Sequence, residues 1–197
     1  PHASRLLRSV DLGLSRKLGR IAYESVATIN LAFRRSGIRH PLNGFGFVVP
    51  QIEKRSLIAC SFSSVKFDHR APEDFVLLRA FVGGVFGKDF LAMEDVNLKK
   101  AVLCDLSDLL GICEQPIFEV LERYPNSMPQ YQVGHLQLIS EIDHMLTRVR
   151  GLFLTGSAYR GAGIPDCIHD AEIQAEKMCR FLTAEREQCD SEKIISV

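Results

Sequence analysis

A chain of 197 residues is sized for one domain or slightly more, and its 46% apolar and 24% charged residues are ordinary for a globular protein, which excludes a disordered or low-complexity tail. Twenty-four Lys and Arg cancel 24 Asp and Glu, so no net field favours nucleic acid or an anionic membrane. Its apolar runs, such as residues 47–49, are far shorter than the ~20 residues that cross a bilayer.

Residues 4–20 carry Leu7, Val10, Leu14 and Leu18 at three- and four-residue steps, which predicts an amphipathic helix kinked or divided at Gly13. The period then changes to two. Ala27, Ile29, Leu31 and Phe33 alternate with Thr28, Asn30 and Ala32, the pattern of a half-buried strand. Residues 34–43 are basic and turn-rich. Strands are predicted over 45–49, closed by Pro50, and over 56–62 after a polar turn at 51–55. Another covers 75–82, where Phe75, Leu77, Arg79 and Phe81 share a face and Gly83-Gly84 ends the run. Connections this short favour antiparallel pairing. Helical period returns at 94–110, with Leu98, Val102, Leu106 and Leu109 on one side and Gly111 as the stop. A strand at 118–123 follows, then a helix at 135–149 with Ile139, Ile142, Leu146 and Val149 as its core stripe. A short buried strand at 152–155 and a last helix at 165–187 lead to a polar, fraying tail at 188–197. The fold class read from this pattern is α+β, a mostly antiparallel sheet with helices.

No two of the six cysteines stand three apart, so neither a CxxC redox pair nor a zinc knuckle is available. Their flanks suit buried free thiols in a reducing compartment. The six histidines are scattered without HExxH or other ligand spacing, and no metal site is expected. The chain opens on Pro1 rather than Met and has no signal-peptide pattern; we expect a fragment that lacks an N-terminal part.

The most informative segment is GLFLTGSAYRGAGIPDCI, residues 151–168: an apolar run, four glycines within thirteen residues, then a helix. Gly156, Gly161 and Gly163 permit tight turns and close approach of backbone to a ligand. Pro165 suits a first helical turn, whose free amides and dipole favour negative charge. A turn that only packs explains the same glycines equally well, since the spacing is a weak motif.

The segment resembles the C-terminal flavin motif of protoporphyrinogen oxidases, the oxygen-dependent flavoenzymes of haem biosynthesis. HPLNGFGFVVP (40–50), the SFSS run followed by Phe67 (61–67), FVGG (81–84) and MPQYQVGHL (128–136) are similar to successive blocks of that family, in order. The resemblance covers nearly all of residues 3–182. It implies a two-domain, FAD-dependent fold of the amine-oxidase type, in which a Rossmann-type domain holds FAD and a second domain covers the substrate. No G-x-G-x-x-G fingerprint after a first strand is present here, so the chain resembles the C-terminal part. Residues 1–150 are then a portion of the substrate-binding domain, and 151–187 a strand and helix that complete the FAD domain. The missing N-terminal half becomes a partner, and the chain alone is expected to be inactive.

Residue by residue, the resemblance assigns Ala162, Gly163 and Ile164 to the isoalloxazine, with the helix N-terminus toward its pyrimidine edge. Arg123 and Tyr124 match a position near the flavin, where many relatives carry Trp in place of Tyr124. Val48, Ser61 and Phe81 match three positions that sandwich the tetrapyrrole; Ser61 departs from the usual apolar residue and would loosen that contact. Without the family, Val48 and Phe81 read as core residues, Tyr131 and His135 as a satisfied pair at a helix start, and Arg79 as an edge or pocket residue. No carboxylate pair, Ser/His/Asp set or Cys/His dyad is evident, which suits a flavin oxidase whose cofactor carries the hard chemistry.

The implied reaction is oxidation of protoporphyrinogen IX to protoporphyrin IX, with FAD taking hydride and oxygen regenerating the flavin as hydrogen peroxide forms. Some bacterial relatives prefer coproporphyrinogen III, and Arg34, Arg35 and Arg39 are basic candidates for the additional carboxylates. Amine oxidases usually carry Gly-Glu where this chain has Gly156-Ser157, which favours the porphyrin branch over a desaturase-type flavoenzyme. A non-catalytic porphyrin-binding or structural fragment is the alternative from another class. The resemblance implies a cytoplasmic protein and is compatible with peripheral membrane association and a homodimer.

Overall fold

A computed structural model describes residues 1–85 and 87–195, with side chains through residue 186. In chain order the elements are α1 (His2–Leu6), α2 (Leu12–Leu18), β1 (Tyr23–Arg34), β2 (Gly46–Val48), β3 (Ala59–Phe62), α3 (Ser63–Lys66), β4 (Phe75–Gly83), α4 (Lys88–Leu91), α5 (Asp95–Leu110), β5 (Phe118–Pro129), α6 (His135–Leu146) and α7 (Ile164–Ile195). They form two compact units, residues 24–128 and residues 1–23 with 129–197.

The unit 24–128 is built on a five-stranded sheet in the order β2-β3-β4-β1-β5. The pairs β2–β3, β3–β4 and β4–β1 are antiparallel, as the short connections predict. The two-residue alternation decides which face is buried. Ala27, Ile29, Leu31 and Phe33 of β1 and Val76, Leu78, Ala80 and Val82 of β4 point to one side and are at most 3% exposed. That side is covered by Leu98, Val102, Leu106 and Leu110 of α5. Burying each such side chain contributes about 1.5–3 kcal/mol. Leu110 rather than Leu109 completes the stripe, and Gly111 ends the helix in the left-handed region at φ +63°.

Two strands are shorter than their sequence pattern. β2 starts at Gly46, whose φ is +145° and where an added Cβ would lie 2.2 Å from the Cys60 carbonyl. β3 starts only at Ala59, because Ser56 is drawn away to α5, its amide and hydroxyl both donating to Asp105 Oδ2 at 2.7 and 2.6 Å. β5 runs six residues beyond the predicted 123.

In the other unit, Leu14, Leu18 and Ile21 pack with Ile139 and Ile142 of α6 and with Ala158 and Tyr159. The segment after residue 150 shares this core with the N-terminal helix and α6, and the two compact units meet in sequence at 23/24 and 128/129. The N-terminal helix breaks at residues 10–11, not at Gly13. Asp11 is extended and its carboxylate accepts from the Leu14 amide at 2.8 Å, which caps α2 and leaves Gly13 inside it. Residues 152–155 form no strand. Leu152 and Leu154 are half-buried against the unit's core and Phe153 meets Phe181 edge-on, and no described strand pairs with the segment. α7 continues past 187 to Ile195, since no Gly or Pro interrupts residues 166–195. Of the tail read at 188–197, residues 196 and 197 lie outside the described residues. Among described cysteines only Cys60 is buried, and burial pushes its thiol up to about 12; Cys104, Cys113 and Cys179 are exposed.

Candidate functional site

The outer face of the sheet, opposite α5, gathers three of the predicted residues. Register places Val48, Ala59, Phe81 and Thr28 in one cross-strand row and Gly46, Ser61, Arg79 and Asn30 in the next. Partners in a row share a face, and Ser61 is the diagonal neighbour of both Val48 and Phe81. Val48 is 78% exposed; Ser61 and Phe81 are half-buried. None of the three belongs to the core, so the core reading of Val48 and Phe81 does not hold. The Ser61 hydroxyl donates to the Phe45 carbonyl at 3.5 Å, which turns its polar group along the sheet edge. A cavity of about 930 Å³ at the end of the sheet is lined by Val48 together with Leu57, Ala59, Val85 and Phe90, but it includes neither Ser61 nor Phe81. The three residues thus share an open face rather than an enclosed pocket.

Arg123 and Tyr124 are adjacent on β5 and so point to opposite faces. Arg123 is taken up by the helix side. It donates to the Leu91 and Met93 carbonyls at 2.6 and 2.8 Å and to Asp95 at 2.8 Å, tying β5 to the start of α5. Tyr124 is 44% exposed, and alternation sets it on the outer face. Among the other basic candidates, Arg35 is committed to the Ile38, His40 and Pro41 carbonyls. Arg34 lies over the Phe75 ring.

Ala162, Gly163 and Ile164 lie in the other unit, exposed at the entry to α7. Gly161 and Gly163 have ordinary backbone angles, so their value is space. A Cβ on Gly161 would lie 2.4 Å from Asp166 Cβ, whereas one on Gly163 would meet only the Asp166 carboxylate, at 2.8 Å. Tyr131 shapes this turn from thirty residues away. Its hydroxyl donates to the Ser157 carbonyl at 2.7 Å and accepts from the Gly161 amide at 3.0 Å. Its ring stacks on His135 at 4.0 Å, and His135 Nε2 lies 3.1 Å from the Tyr159 carbonyl. Partial burial raises the Tyr131 pKa, against a smaller downward pull from the Gly161 amide, so the phenol stays protonated and keeps its donor. The MPQY block marked this residue, but only the fold brings it to the glycine turn. The turn is exposed, carries no side chain at 163 and opens a long helix, whose first free amides favour negative charge.

Behind the turn, Arg160 bridges Asp143 and Asp170, the latter at 3.0 Å. Burial pushes the Asp170 carboxyl up, but hydrogen bonds from Thr155 and Arg160 and the Arg160 charge more than offset it, and its pKa is lowered. A carboxylate with a depressed folded pKa stabilises the fold above its unfolded value of about 3.9 and loses that stabilisation as pH falls through the folded one. Melting temperature of the parent should therefore fall more steeply than that of Asp170→Asn as pH drops from 5 toward 3; parallel curves would refute the contribution.

Among the described residues no group of three His, Cys, Asp or Glu side chains is placed to hold a metal, and no helix is long and apolar enough to cross a membrane. The family model for flavin containing amine oxidoreductases matches residues 1–179. The coproporphyrinogen III oxidase of Bacillus subtilis is 33% identical over 159 residues, covering 80% of this chain and 34% of that protein. The chloroplastic protoporphyrinogen oxidase of Nicotiana tabacum is 27% identical over 191 residues, covering 92% of this chain and 35% of that protein. A solved structure assigned as a protoporphyrinogen oxidase from Exiguobacterium sp. 255-15 superposes with a TM-score of 0.75 at 31% identity, over 95% of this chain and 39% of that one. The chain thus spans about a third of the length of the curated relatives it matches.

Proposed function

The chain belongs to the flavin containing amine oxidoreductase family, and from that premise we propose that it carries the substrate face and one cofactor turn of an FAD-dependent porphyrinogen oxidase. The observation that carries this reading is the outer sheet face. Val48, Ser61 and Phe81 come from separate blocks of sequence, yet register sets them side by side on the face that α5 leaves uncovered. Residues 1–150 are the substrate-domain portion in this reading, and residues 151–187 contribute the turn and helix to the FAD domain.

The roles follow from the side chains. Val48 and Phe81 supply an apolar platform for the tetrapyrrole, and Phe81 adds ring-face contact with its pyrroles. Ser61, smaller than Val48 and Phe81, leaves room on the platform. Tyr124 rims the same face. Ala162, Gly163 and Ile164 would hold the flavin through backbone, and the N-terminus of α7 favours the negative charge that builds up on reduction. Bound FAD supplies the two-electron acceptor that this chain's own side chains do not offer. By resemblance the reading extends to molecular oxygen as final acceptor, a cytoplasmic location, and a homodimer or peripheral attachment to a membrane.

The test is the flavin-loaded protein that carries this chain, incubated with porphyrinogen and followed by porphyrin fluorescence. Oxidation is expected, with Phe81→Ala raising KM roughly ten-fold, the scale of losing a large buried contact. A preparation with no flavin absorbance, or with flavin but no porphyrin formed, would overturn the reading.

A further inference from the structure

The outer face is apolar in one row and polar in the next. Phe75, Leu77 and Phe81 are half-buried on β4, whereas Arg79, between Leu77 and Phe81 on the same face, is exposed. Across the ladder its partner is Asn30. Arg79 Nε donates to Asn30 Oδ1 at 2.8 Å. This bond has a consequence for what the pair presents. Arg has donors only, so Asn30 must offer its oxygen and turn its amide NH2 elsewhere. The two Nη nitrogens of Arg79 and the Asn30 NH2 have no partner among the described residues. Apart from the second lone pair of Asn30 Oδ1, what the pair leaves over is donors, beside one fixed positive charge. The group complementary to such a pair is a carboxylate.

Its neighbours restrict the ligand further. Phe81 is two residues along the same strand, about 7 Å away, and Ser61 is directly opposite Arg79 on β3. A ligand that meets both features has an apolar body over Val48 and Phe81 and an acidic arm reaching one row over. We propose that the Arg79–Asn30 pair binds a propionate carboxylate of the porphyrinogen and helps set preference for substrates that carry more of them. This rests on the reading that the outer face receives the macrocycle. Arg35, one of the three basic candidates read from the sequence, already donates to three carbonyls.

The test compares a free-acid porphyrinogen with its methyl ester in the flavin-loaded protein. Arg79→Leu is expected to raise KM for coproporphyrinogen III roughly ten-fold, the scale of one charge-assisted hydrogen bond, with kcat within about two-fold. Arg79→Lys should recover part of the loss, and Asn30→Ala should show a smaller rise. For the methyl ester of the same macrocycle the parent and Arg79→Leu should have equal KM. Arg79 is exposed on the face away from the core, so the melting temperature should stay close to that of the parent; if Arg79→Leu fails to fold, Arg79→Gln carries the same comparison. A parent active on both substrates with Arg79→Leu unchanged on the acid, or with equal loss on acid and ester, overturns the carboxylate contact alone. A parent active on neither overturns the functional reading and the contact with it.

Discussion

Replacing Asp105 by alanine is expected to destabilise the protein by about 3 kcal/mol or more. The carboxylate, 15% exposed, accepts the Ser56 amide, the Ser56 hydroxyl and Arg55 Nη1, the last at 3.0 Å. Ser56 is itself buried. Removing the acceptor leaves two buried donors of Ser56 without a partner and leaves Arg55 Nη1 with Asp108 alone, at 3.2 Å, and each orphaned buried donor costs about 1–3 kcal/mol. For a unit near 100 residues this corresponds to a fall in melting temperature of roughly 10 °C or more. Asp105→Asn keeps one acceptor oxygen and should fall between. The effect reaches function because the segment held by Asp105 connects β2 to β3, and β2 carries Val48. Asp105→Ala should therefore raise KM for the porphyrinogen in the fraction that stays folded. A melting temperature within about 2 °C of the parent would show that the loop does not depend on α5.

Paired valine substitutions at Gly161 and Gly163 are expected to separate packing from cofactor contact. At Gly161 the new Cβ would fall 2.4 Å from Asp166 Cβ, an atom fixed close to the α7 backbone. Something larger than a rotamer must move, so Gly161→Val should lose both stability and flavin. At Gly163 the Cβ would meet only the far end of the Asp166 side chain, which can swing away into solvent. Gly163→Val should then cost little stability, about 1 kcal/mol or less. If the flavin ring lies against that backbone, the same substitution should empty most of the flavin from the purified protein. Flavin absorbance per protein and melting temperature, measured on both variants, decide the matter. Normal flavin content in Gly163→Val with normal porphyrinogen oxidation would remove residues 162–164 from the cofactor contact. Lost stability with normal specific activity in the folded fraction would make Gly163 a packing residue instead.

Much of the architecture is legible from period alone. Alternation at 27–33 and 75–82, and the helical stripe at 94–110, each bury one face whatever surrounds them, because a side-chain period of two or 3.6 admits only one apolar side. The five ordered blocks likewise pointed to the family without any coordinates, since they depend on residue identity rather than on contact. Other features had to wait for the tertiary structure. The helix break belongs to Asp11, whose carboxylate caps α2, and a glycine two residues later gave the stronger local signal. The apolar run at 152–155 reads as a strand by composition, but whether an extended segment pairs depends on a neighbouring backbone edge, which the sequence does not display. The outer-face cluster depends on register: a slip of one residue in β3 would send Ser61 to the core and Cys60 to the platform, and the pairing of β3 with β4 alone excludes it. Tyr131 meets the glycine turn across thirty residues of chain, and Arg79 finds Asn30 across forty-nine. Local sequence determined which residues alternate and which helices form. Only the folded chain decided which donors remain free, because a hydrogen-bond partner distant in sequence leaves no trace in the local pattern.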